Sequence, residues 1–164
     1  MTDFVVAESG IRQLQARCVD AIWRKDAAAF AECFAEDGEW KIAGLHLHGR
    51  AEIESTFAKL LGLCERVFTS VSTPILEVGD GTAFGRTYVA ENAKLTNGQT
   101  AHTIGIYYER YVEQAGGWKF QWRHWSLQYR GPADLSAPFY DSPDYGPLPG
   151  MPGPDDPTTV KRAE

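Results

Sequence analysis

The first 130 residues of this 164-residue chain contain one proline, Pro74, and the whole chain has only three cysteines. Cys18, Cys33 and Cys64 are odd in number and lack metal-site spacing, which excludes a disulfide scaffold and leaves buried, reduced thiols as the expectation. No run approaches ~18 apolar residues, so no membrane-spanning helix is expected. The start, MTDFVVAESG, has neither a basic n-region nor a long apolar segment. A signal peptide is therefore not expected, and a cytoplasmic location is. Basic residues are outnumbered, 16 against 22 acidic ones, and form no stripe, so nucleic acid is not an expected partner. Phosphate loops are missing too, because Gly79-Asp80-Gly81 reads as a hairpin turn. Ser72 and Ser126 lack the setting of a nucleophile elbow.

What is present is apolar: 43% hydrophobic residues and 12% aromatics, enough for the core of one domain. The net charge of −6 is unevenly spread. Residues 131–164 hold six acids, two bases and eight of the nine prolines, so residues 1–130 are nearly neutral. We therefore divide the chain into a domain, 1–130, and a Pro-rich acidic extension, 131–164. Leu135, Phe139, Tyr140, Tyr145 and Leu148 give the extension apolar surface for docking, over a pocket mouth or onto a neighbouring subunit. Order is expected to ~Met151, with fraying beyond Pro152.

Ile11, Leu14, Cys18 and Ile22 recur at helical spacing and predict a helix over 8–24. Asp26 reads as the N-cap of a second helix, 27–35, and Ile53, Phe57, Leu60 and Leu61 mark a third, 51–63. Strand character follows at 67–78, 82–92, 100–112 and 118–129, punctuated by glycine-containing turns. An earlier strand, 39–47, is expected to join the edge of that meander. The fold class is α+β, with helices on a strongly curved, mostly antiparallel sheet and a pocket between them.

Several phrases carry a resemblance. They are Lys25-Asp26-Ala27 through Phe34-Ala35-Glu36-Asp37, Gly49-Arg50-Ala51-Glu52-Ile53, Val78-Gly79-Asp80-Gly81-Thr82-Ala83, and Tyr111-Val112 with Gly116-Gly117-Trp118-Lys119-Phe120. Together they make the chain similar to the SnoaL-like branch of the NTF2-like superfamily, a cone-shaped α+β fold. The resemblance implies an enzyme that uses no cofactor, binds a hydrophobic, often aromatic, molecule in the cone and moves protons with buried polar side chains. It also implies a homodimer or homotrimer. Dehydratase and dehydrochlorinase members carry an aspartate near the end of the first helix and a histidine on the first long strand. Those positions hold Trp23 and Thr69 here, so that dyad is missing and another base is required.

Glu91, His46 and His48 are the candidates for that base. Glu91 shares an inferred inward face with Thr87 and Val89, where desolvation would raise its pKa. His46 and His48 share one strand face near the expected cone mouth. They could also hold a metal, but no spacing nominates a third ligand, and none is expected. Asp20 reads as half of an exposed ion pair with Arg24. Arg123 matches a cavity arginine of the family and could stabilise an oxyanion, although alternation leaves its face open. In that alternation Trp118, Phe120 and Trp122 occupy one face, Arg123 and Trp125 the other. Tyr107, with Thr103 on the same side, could donate to a substrate oxygen. Trp23, Trp40 and Trp125, with Thr69, would line a wall suited to a planar substrate. The expected activity is a cofactor-independent lyase, eliminating by acid–base catalysis, as in dehydration or loss of formaldehyde. An isomerase or polyketide-cyclase-like enzyme, or a non-catalytic ligand- or partner-binding module, are the alternatives.

Overall fold

A computed structural model of the chain describes residues 1–159. It places α1 (Phe4–Trp23), α2 (Ala27–Glu32), β1 (Phe34–Ile42), β2 (Leu45–His48) and α3 (Gly49–Gly62) first. There follow β3 (Cys64–Val71), β4 (Ile75–Val78), β5 (Thr82–Leu95), β6 (Thr100–Gln114) and β7 (Gly117–Gly131). None of the described helices is long and apolar enough to cross a membrane.

Helix α1 buries Ala7, Ile11, Leu14, Cys18 and Ala21 on one stripe. It starts before its apolar period does, because the Asp3 side chain accepts from the Val6 N–H at 3.0 Å and caps it. Asp26 caps α2 by accepting from Ala29 N–H at 2.9 Å. The segment read as one strand over 39–47 is a hairpin instead. Ala43 and Gly44, at φ 50° and 79°, turn the chain between β1 and β2, and consecutive left-handed residues suit the twist of a tight hairpin. Strand 67–78 is likewise broken, around Pro74, which has no N–H to give a ladder.

The strands form one open sheet in the order β2-β1-β7-β6-β5-β3, with β4 also paired to β5. All pairs are antiparallel except β1 with β7, so β1 lies inside the sheet and short β2 is its edge. The architecture is the α+β cone, with the helices on the concave face. Trp118, Phe120, Tyr107 and Trp125 of the sheet share a core with Ile11, Leu14 and Cys18 of α1. A side chain at Gly10 would meet the Trp118 ring at 2.5 Å, so helix and strand touch there.

Two register shifts in β7 decide which side chains face inward. Tyr111 pairs with Phe120 but Arg110 pairs with Trp122, leaving Gln121 as an extra residue, a bulge. Simple alternation therefore fails. Trp118 and Phe120 join Arg123 and Trp125 on the concave side, while Trp122 points outward beneath the Arg110 guanidinium, 5.5 Å from its ring centroid. A second shift leaves Gln128 unpaired, and its carbonyl accepts from Tyr140 N–H at 2.9 Å.

That last contact begins the course of the C-terminal segment, which runs along the convex face of its own sheet. Arg86 Nη1 donates to Gly146 O at 2.6 Å, Tyr145 packs edge-on against Tyr108, and Lys41 Nζ donates to Pro154 O at 2.9 Å and Asp156 O at 2.5 Å. Gly44 N–H donates to Thr158 Oγ1 at 2.7 Å. Pro152, Thr158 and Thr159 are buried, so the chain does not fray at Pro152, and residues 160–164 lie outside the described residues. The contacts of Lys41 and Gly44 are the physical reason, since they supply donors to a segment rich in prolines that offers mainly carbonyls.

His124 is buried on this convex side, and its pKa is lowered to about 4 by burial and by the nearby Lys41 charge, against a smaller opposing effect of Asp156. The unfolded chain thus binds a proton there before the folded one does. This contribution to stability is complete above the unfolded value near ~6.5 and is lost as pH falls toward 4. Deleting residues 132–164 should return the His124 titration toward ~6.5, read by NMR of the imidazole protons; an unchanged titration would mean that the strand neighbours alone bury it.

Candidate functional site

Inward alternation along β6 places Tyr107, Glu109 and Tyr111 on the concave face, and Glu109 is fully buried. Its two oxygens are saturated. Oε1 accepts from Arg123 Nε at 2.9 Å and pairs with Nη2 at 2.9 Å. Oε2 accepts from Gln15 Nε2 at 2.8 Å, from Thr87 Oγ1 at 2.5 Å and from the Tyr111 hydroxyl. Five donors on one buried carboxylate satisfy the rule that an interior charge must be paired.

Arg123 therefore does lie on the concave side, but its guanidinium is committed. Nη1 donates to Cys18 Sγ at 3.5 Å, and the planar group sits 3.7 Å from the centroid of the Tyr107 ring. Thr87 is committed in the same way, so its hydroxyl serves Glu109 and not an open wall. Tyr107 is held between Arg123 and Trp125, whose ring centroid is 4.7 Å away. The Tyr107 oxygen accepts from Trp40 Nε1 at 3.1 Å. Burial pushes the phenol pKa up, opposed by the Arg123 charge and the Trp40 hydrogen bond. The phenol stays protonated, and among the described residues its hydrogen has no acceptor.

Further along the same face the cross-strand pairs are Thr69 with Glu91 and Glu91 with Thr103. Thr69 Oγ1 donates to Glu91 Oε2 at 2.5 Å. Burial pushes the Glu91 carboxyl up, with the Thr69 hydrogen bond and the Arg130 charge opposing. Thr69 thus supports a carboxylate on the neighbouring strand. Four residues of strand separate Thr103, opposite Glu91, from Tyr107, or about 13 Å at ~3.3 Å per residue. The Glu91 charge nonetheless acts on Tyr107.

Trp23 does not join Trp40 and Trp125, which are buried in the core. It is 53% exposed, stacks on Phe68 with centroids 4.7 Å apart, and donates from Nε1 to Thr69 O at 2.8 Å. It borders an open cleft of about 610 Å³ between α1 and β3, together with Gln15, Val19, Thr69 and Ser72. Asp20 is exposed and pairs with Arg24 at 2.9 Å.

His46 and His48 lie on the other side of the sheet. Leu47 faces the core opposite Trp40, so its two neighbours point outward with Glu39 and Lys41. Neither histidine can serve as a base in the cone. Their short strand pairs only with β1, and its register, not its composition, decides the face.

Sequence reasoning missed Glu109 and Gln15. Glu109 was legible as the residue two beyond Tyr107 on one strand face. Gln15 interrupts the apolar stripe of α1, is buried, and its Oε1 has no partner among the described residues. Gly105 lies between Thr103 and Tyr107 on the same strand face. A side chain there would approach the Trp125 ring to 2.4 Å, so the absent Cβ is what lets Trp125 lie across β6. Gly105→Ala should cost about 1–3 kcal/mol by overpacking and shift the Trp125 contribution to fluorescence. Unchanged stability in denaturant would mean that the ring relocates freely.

A family model described as the SnoaL-like domain matches residues 5–124. The chain belongs to the SnoaL-like family. A hexachlorocyclohexane dehydrochlorinase of type 2 superposes with a TM-score of 0.72 at 18% identity, over 78% of this chain and 89% of that one. An inferred scytalone dehydratase from Novosphingobium aromaticivorans gives 0.73 at 18%, over 77% and 87%. An NTF2-like superfamily protein from Salmonella enterica gives 0.72 at 17%, over 82% and 100%. Identities this low establish a shared fold and nothing finer. No curated protein matches the chain.

Proposed function

We propose that this protein is a cofactor-independent lyase acting on a small hydrophobic, aromatic substrate, with Glu91 as the general base. The observation that carries the reading is the Glu91 carboxyl itself, raised in pKa by burial, facing the cone and held by Thr69 in the place where the family's dyad is missing. In the proposed step Glu91 removes a proton from a substrate carbon and the electron pair forms a double bond. The leaving group departs from the neighbouring carbon, taking a proton from water, while Tyr107 lies too far along the strand to protonate it and is left to donate to a substrate oxygen at the other end. Acid–base groups suffice for that balance. Arg123 is a positioning residue in this scheme, bound to Glu109 and holding the Tyr107 ring. Thr103 flanks Glu91, while Trp40 and Trp125 give flat apolar surface.

The test is turnover of a panel of aromatic alcohols and halides, without added cofactor, by wild type and Glu91→Gln. Elimination products that disappear in the variant support the reading. Isomerised or cyclised products would replace the lyase with those alternatives, and saturable binding without any turnover would favour a ligand-binding module. Turnover that survives in Glu91→Gln would place the base elsewhere.

A further inference from the structure

We propose a divalent-metal site on the outer face of the β1–β2 hairpin, with Glu39, His46 and His48 as ligands for a zinc-like ion. The two histidines alternate on one strand, and the register sets Glu39 directly across from His48. One ligand atom from each of the three residues falls within 4.8 Å of the others. Both imidazoles converge on the same carboxylate oxygen, Glu39 Oε2, His46 through Nε2 at 2.5 Å and His48 through Nδ1 at 3.9 Å. Zinc bonds of ~2.0–2.2 Å to nitrogen and oxygen put donors about 3.3 Å apart, midway between those two separations.

A hydrogen bond between His46 and Glu39 accounts for that pair alone. It leaves unexplained why the second imidazole stacks on the first at 4.1 Å and aims at the same oxygen. The surroundings suit a cation. Lys41, the register partner of His46, has its ammonium turned away to the Pro154 and Asp156 carbonyls. Glu52 accepts the His48 backbone N–H at 2.7 Å and adds a second carboxylate near the hairpin. Two imidazoles and one carboxylate favour zinc, cobalt, nickel or copper over magnesium or calcium. Three protein ligands, the two histidines exposed and Glu39 half-buried, leave the fourth position open to water or an outside donor. The site lies on the face opposite Glu91 and Tyr107, and a bound ion would staple the sheet's edge strand to its neighbour.

The experiment is calorimetric titration of the tag-free full-length protein with zinc chloride, with cobalt(II) absorbance as a second probe. One equivalent should bind. His46→Gln and His48→Gln should each weaken binding at least tenfold, and the zinc-induced rise in unfolding temperature should vanish with them. His102→Gln should change nothing, because His102 bonds Asn92 elsewhere, Nδ1 to Oδ1 at 2.8 Å. Circular dichroism of these surface variants verifies folding. No saturable binding up to millimolar zinc, wild-type affinity retained in His46→Gln or His48→Gln, or loss in His102→Gln would each overturn the site.

Discussion

Glu109→Ala is expected to lower the unfolding free energy by about 3–5 kcal/mol, the usual cost of stranding one member of a buried ion pair. The change leaves the Arg123 guanidinium, 2% exposed, with only the weak Cys18 sulfur as an acceptor. Thr87 and Tyr111 lose their acceptor as well, and Gln15 keeps only their two hydroxyls. At roughly 2–4 °C per kcal/mol for a chain of this size, the melting temperature should fall by about 10 °C. A double-mutant cycle sharpens the result. Arg123→Met with Glu109→Leu removes both charges and should recover much of the loss, because apolar replacements of buried pairs are often tolerated. A loss below ~1 kcal/mol in the single variant would mean that water reaches the network.

Glu91→Gln should act on activity and stability in opposite directions. General-base removal typically costs 10²–10⁴-fold, and kcat on the substrate found by the panel should fall by that range. In wild type kcat/KM should decline on the acid side as Glu91 takes up its proton, at a pH above the ordinary carboxylate range. The variant should lack that limb. For stability, a carboxyl whose folded pKa exceeds its unfolded one binds more protons when folded. Unfolding free energy therefore falls as pH rises from the unfolded value through the folded one. Glutamine removes that cost, so the variant should be no less stable than wild type at pH 7, and more stable relative to it there than at pH 4. A variant that keeps turnover, or keeps the acid limb, would remove Glu91 from the mechanism.

The two residues differ because one carboxylate is saturated and the other is not. Glu109 has five donors and a structural task, whereas Glu91 has one threonine and a raised pKa. Sequence alone favoured Glu91 and passed over Glu109, since alternation reports a face and not a partner. Local signals were readable: the α1 stripe, the Asp26 cap, the glycine turns and the inward run of Thr87, Val89 and Glu91. What could not be read depends on pairing between distant segments. The Gln121 bulge reverses Trp122 relative to Phe120, and nothing in Trp-Lys-Phe-Gln-Trp-Arg announces an extra residue. The Ala43-Gly44 turn lacks the strong Asn-Gly signature, so two strands looked like one. His46 and His48 were rightly given a common face, yet which face followed only from the pairing of Leu47 with Trp40. Glu39 then supplied the third ligand from the opposite strand.

The segment after Gly131 packs the Tyr145 ring on Tyr108 and receives Lys41 on the carbonyls of Pro154 and Asp156. Because that cover is covalently attached, its closure is a unimolecular event, governed by tether length and not by mass action. Diluting the protein should leave this face covered, whereas a cover borrowed from another molecule would be shed. The part of the convex side around Tyr108 and Lys41 is thus insulated from expression level, while Tyr88 on the same face stays exposed.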